Sequence, residues 1–194
     1  MRRRLAASPA QWGSMKSAIR TGIGSLLLTG ALTFASSGDV AAQGTAGPPV
    51  AVSGWRYEKG QSDLHLFHCE QPKCGTNSKV SYKILAPGNP MTLEQYRDSQ
   101  QQVAKALEQR TPGLKVTILG VDGDKGSALP RLYKARRQMT APDGQKEYVV
   151  SGLMFGSRAS ASLISSAQEE KTSSANYALF QLSMMMLIET PAKR

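Results

Sequence analysis

Every histidine and every cysteine of the chain lies in one short stretch, LHLFHCEQPKCG, residues 64–75. The four are His65, His68, Cys69 and Cys74. Three kinds of chemistry use such residues. A zinc site needs four donors converging at about 2.0–2.3 Å. A redox pair needs two cysteines, usually two residues apart and next to a helix N-terminus. A structural disulfide needs only an even cysteine count and an oxidising compartment.

The spacing bears on all three. The stretch DLHLFHCE alternates and carries β-formers, so Asp63–Cys69 reads as a strand. Side chains of a strand alternate between faces, so His65, Phe67 and Cys69 share one face and His68 takes the other. The histidines then point apart, which opposes a metal site built from His65, Cys69 and Cys74. The two cysteines have four residues between them and no evident helix follows, which opposes a redox motif. A disulfide between Cys69 and Cys74, closing the end of a hairpin bent at Pro72, fits best. Metal binding through His65 and the cysteines remains the weaker alternative.

The segment RLYKARR is the densest basic run, with Arg131, Lys134, Arg136 and Arg137. It is a candidate patch for an acidic or anionic partner, set against a solvated strand whose charges discourage edge pairing. DGDKGS has the carboxylate spacing of a calcium loop but lacks the distal glutamate. GSRAS lacks the second glycine of a nucleophile elbow. No triad, phosphate loop or paired acid motif is evident, so neither a catalytic residue nor a cofactor is expected.

The elements that position these residues begin after a segment of another kind. Residues 23–35, IGSLLLTGALTFA, are apolar, follow Arg2, Arg3, Arg4, Lys16 and Arg20, and lead to small residues. That is the pattern of a secretory signal peptide over residues 1–42, with cleavage between Ala42 and Gln43. Met15 opens a compact signal of its own and is an alternative start. The apolar run is shorter than the ~20 residues of a membrane span. The expected location is periplasmic or secreted. From Gln43 onward 19 Lys and Arg stand against 13 Asp and Glu, a net charge of +6. That balance, without a basic stripe, argues against nucleic-acid binding.

Residues 43–54 read as a flexible lead-in, and 55–190 as one domain. Trp55–Tyr57 is a possible strand start, and strands are expected at 63–69, 79–85, 114–121, 131–139, 147–156 and 160–166. A helix begins at Thr92, whose spacing to Gln95 is that of a capping box. Its apolar positions are Leu93, Tyr96, Val103, Ala106 and Leu107. A second helix, about Ser173–Ile188, is apolar around most of its circumference. Short connections favour antiparallel pairing. The fold class is therefore α+β, with an antiparallel sheet of five to six strands and two helices packed on it.

This element order, with the helix TLEQYRDSQQQVAKAL and the closing SLISSAQEEKTSSANYALFQL, resembles the PsbP-like α/β/α sandwich family. The resemblance covers roughly residues 55–190. The family includes extrinsic photosystem subunits, nuclear Ran-binding proteins and many exported bacterial proteins. The resemblance implies a scaffold for protein contacts, without catalysis. The resulting expectation is an exported, non-enzymatic domain that binds a protein or another envelope component. The alternative is a small-ligand-binding or cell-wall-associated hydrolase with a pocket invisible in sequence.

Overall fold

The computed structural model describes residues 50–189, except Asn89 and Ser127. The signal segment, its Ala42–Gln43 cleavage site and Met15 lie outside the described residues. Seven strands form one antiparallel sheet: β1 (Trp55–Lys59), β2 (His65–Cys69), β3 (Lys79–Leu85), β4 (Lys115–Gly123), β5 (Arg131–Thr140), β6 (Lys146–Phe155) and β7 (Ser160–Ala167). Helix α1 (Leu93–Arg110) sits between β3 and β4, and α2 (Glu170–Glu189) closes the chain. The strand count exceeds the expected five to six because the Trp55 segment forms a full edge strand.

The spatial order is β1-β2-β3-β7-β6-β5-β4. All neighbours along it are joined by short hairpins except β3 and β7, which pair across most of the chain. This follows from α1. The helix carries the chain from the middle of the sheet to its far edge, and the β4–β7 meander then returns strand by strand until β7 meets β3.

The capping box at α1 forms as the sequence dictates. Thr92 Oγ1 accepts from the Gln95 backbone N–H at 3.1 Å, and Gln95 Oε1 accepts from the Thr92 N–H at 2.8 Å. The buried face of α1 is narrower than the apolar pattern implies: Tyr96, Gln100 and Ala104 are buried, while Val103 is 39% exposed. A single turn-to-turn row meets the sheet, and one of its members is polar.

The two helices lie on opposite faces. α2 packs on β3, β7 and β6, burying Tyr177, Phe180, Met184 and Ile188 against Phe67, Val80, Tyr82, Val150, Met154 and Leu163. Fully burying each such side chain contributes roughly 1.5–3 kcal/mol. A second cluster lies under α1 and joins Tyr96, Tyr133, Ala135 and Phe155, with Tyr96 stacked on Tyr133 at 5.5 Å. Val50 is buried in the α2 cluster and Val52 packs on it. The described end of the expected flexible lead-in is thus held by the core, because its valines find apolar surface there. No helix among the described residues is long and apolar enough to cross a membrane.

Candidate functional site

The β1–β2 hairpin positions both histidines. Its register sets Lys59 opposite His65, Tyr57 opposite Phe67 and Arg56 opposite His68. His65 faces the α2 side. Its ring stacks at 4.5 Å on Tyr82 and at 5.8 Å on Tyr57, and its Nδ1 is 3.0 Å from the Tyr57 hydroxyl. Burial, with Lys59 nearby, lowers its pKa against a smaller opposing effect of Asp63. His68 faces the other side, its Nε2 3.3 Å from Glu58 Oε2 but outside hydrogen-bond geometry. The two rings diverge, as strand alternation requires.

Cys69 and Cys74 are joined: their sulfurs are 2.00 Å apart and their Cα atoms 5.9 Å apart. Neither sulfur is then a thiolate ligand or nucleophile. The bond closes a 3-10 turn over Pro72–Cys74, and α2 holds that turn through the Asn176 side chain, whose Nδ2 donates to the Cys74 carbonyl at 2.9 Å. Among the described residues, no three His, Cys, Asp or Glu side chains are placed to hold a metal ion.

The four basic residues of β5 do not form one patch. Arg136 points to the α2 side and pairs with Glu170 at 2.9 Å. Lys134 shares that side by strand alternation. The Arg131 guanidinium lies 5.6 Å from the Tyr133 ring centre. Arg137 points the other way and is 6% exposed beneath α1. Its Nη1 donates to Gln100 Oε1 at 3.1 Å, the Ser151 hydroxyl donates to the same oxygen at 3.3 Å, and the Tyr96 hydroxyl donates to the Ser151 carbonyl at 3.0 Å. Burial lowers the Arg137 pKa and pushes the Tyr96 hydroxyl up to about 12. No carboxylate takes part in this group of contacts. Gln100 and Ser151 lie 37 and 51 positions from their partners in it, so no local pattern could have revealed the cluster.

A cavity of about 260 Å³ opens between the disulfide turn and the start of α2. Lys73, Gly75, Thr76, Ser78, Gln168, Glu169 and Thr172 are in its wall. Its ionisable groups are the Glu169 carboxylate and the Lys73 ammonium. A helix N-terminus attracts anions, but the Glu169 carboxylate, which accepts from Thr172 Oγ1 at 3.2 Å, already occupies that end of α2.

A broader surface lies on the α1 side of the sheet. α1 packs on β4 and β5 and reaches β6 through Tyr96 and Gln100. On the same side of β1, β2, β3 and β7, strand pairing aligns Glu58, Leu66, Ser81 and Ile164 in one row. Arg56, His68, Lys79 and Ser166 form the next row, with Lys83 beside Ser162. The surface carries two apolar side chains, Leu66 and Ile164, on either side of Ser81, and more basic than acidic charges. Sequence reasoning missed it because its residues come from four strands, two or three from each.

No protein-family profile matches the chain, and no curated protein matches it by sequence. Among solved structures it is similar to cyanobacterial PsbP (CyanoP) from Synechocystis, with a TM-score of 0.50 and 11% identity over 68% of this chain and 79% of that one. It is also similar to the Saccharomyces cerevisiae Ran-binding protein Mog1p, with a TM-score of 0.45 and 14% identity over 71% of this chain and 85% of that one. The fold is PsbP-like.

Proposed function

We propose that this PsbP-like domain is an exported, non-enzymatic binding domain of the cell envelope, periplasmic or secreted. It docks a protein or other envelope component on the open face of β1, β2, β3 and β7. The observation that carries the reading is that face: Leu66 and Ile164 on either side of Ser81, with Arg56, His68, Lys79 and Lys83 around them against the single acidic Glu58. Apolar side chains within a charged border are how a specific interface is built, and the excess of basic groups favours an acidic partner. The Cys69–Cys74 bond supports an oxidising compartment, and the apolar residues 23–35 after a basic start support export.

The test is affinity capture from an envelope extract with the wild-type chain and with a Lys79→Glu, Lys83→Glu variant. The partner should be retained by the first and lost by the second. A Lys125→Glu control, in the β4–β5 turn, should retain it. Equal retention by both forms would remove the surface from the reading. A hydrolytic activity of the purified chain with no partner would overturn the reading altogether. Export is read separately, from the N-terminus of the chain recovered outside the cytoplasm, which should be Gln43.

A further inference from the structure

The outward side of α2 is apolar along its length. No charged residue lies between Lys171 and Glu189. While one side of the helix fills the core, Leu179, Leu182 and Met186 on the other are 49%, 70% and 71% exposed, with Ala175 exposed in line with them. Residues 175, 179, 182 and 186 follow the four-three-four spacing of a coiled-coil seam. Water gains nothing from such a row, and rows of this kind mark interaction surfaces.

We propose that this row is the self-association surface of the chain, pairing α2 antiparallel with α2 of a second copy. The row is complementary to itself in that direction. With Leu179 against Leu182 of the other copy, Ala175 meets Met186, small against large, on both sides of the two-fold axis. Thr172 then meets the Glu189 end of the other copy, and Lys171 lies nearest that carboxylate, whose oxygens also accept from the Ser157 N–H at 2.9 Å and the Ser157 hydroxyl at 2.8 Å of their own chain. A parallel pairing would set Lys171 against Lys171, Glu189 against Glu189, Met186 against Met186 and Ala175 against Ala175, with like charges facing and sizes mismatched. α2 spans about 30 Å, so the pair buries on the order of 1,000 Å² in total, the low end for a specific contact. The dimer is therefore weak and concentration-dependent. It uses the face opposite the proposed docking surface and does not depend on that reading.

Sedimentation velocity on the full chain over about 1–100 µM should show a monomer–dimer equilibrium. Leu182→Glu should raise the dissociation constant roughly a hundredfold or more, because each dimer loses two central side chains. Its circular dichroism should not change, since Leu182 is exposed. Direction is read by cross-linking. Ala175→Cys and Met186→Cys chains, mixed under mild oxidation, should form a disulfide-linked heterodimer, and neither should cross-link alone. In the antiparallel pair, like positions sit about 16 Å apart along the axis. A chain that stays monomeric throughout, a dimer that survives Leu182→Glu, or Ala175→Cys cross-linking to itself would overturn the proposal.

Discussion

Gly152 of β6 faces α2, and replacing it with alanine should be among the costliest single-methyl changes in the molecule. The new Cβ would fall on the Tyr177 hydroxyl oxygen, with Tyr177 Cζ 2.9 Å away and the Tyr133 carbonyl oxygen 2.8 Å away. Tyr177 is 1% exposed, so its ring has nowhere to rotate, and the β5 backbone is fixed by pairing on both sides. α2 must lift from the sheet. Overpacking a core typically costs 1–3 kcal/mol, and an overlap this deep belongs at the upper end, about 3 kcal/mol. Tyr177→Phe supplies the control. The Tyr177 hydroxyl is buried without a hydrogen-bond partner, so removing it should change stability by no more than about 1 kcal/mol, in either direction. The double variant should recover roughly half the loss, because the Cζ and carbonyl contacts remain, giving a coupling of about 1–2 kcal/mol. Urea unfolding midpoints at constant slope measure all four forms. A Gly152→Ala chain within about 0.5 kcal/mol of wild type, or strict additivity in the double variant, would refute the close-approach argument.

Three further outcomes are expected. Replacing Cys69 and Cys74 by serine should cost about 2 kcal/mol, the entropy of so short a loop, and should abolish any effect of reductant on the urea midpoint while leaving circular dichroism unchanged. The His65 pKa is lowered in the fold, chiefly by burial, so the unfolded chain takes up its proton first as pH falls. Stability should be full above about pH 6.5 and decline as pH drops from there toward the folded-state pKa. His65→Phe should flatten the melting temperature between pH 8 and 5, and an unchanged slope would assign the effect elsewhere. Arg137 is a buried cation with a lowered pKa and an unpartnered Nε, so Arg137→Met should leave thermal stability unchanged or raise it by about 1–2 kcal/mol. A loss above about 3 kcal/mol would mean that the guanidinium is well compensated where it lies.

The local chemistry of this protein was legible in its sequence. Strand alternation sent His65 and His68 to opposite faces, and an even cysteine count with a proline between gave the Cys69–Cys74 bond. Thr92 and Gln95 set the start of α1 because a capping box needs only four consecutive residues. These features depend on neighbours within a few positions, and the backbone geometry of one strand, turn or helix settles them. The sequence also separated the strands correctly, except that it did not count the Trp55 segment as a full member.

What lay beyond it depends on which strands become neighbours. The β3–β7 pairing joins residues about eighty positions apart, and no local signal encodes it. That pairing decides that Leu66, Ile164 and the lysines of β3 share one surface. Strand alternation alone sends Arg136 and Arg137 to opposite faces, but only the placement of the helices makes Arg136 ion-paired and Arg137 buried. The apolarity of α2 was visible in sequence, but its division into a core side and an exposed seam was not. A helix apolar on nearly every side carries no direction of its own. Only the position of the sheet beneath it determines which leucines meet the core and which remain available for another molecule.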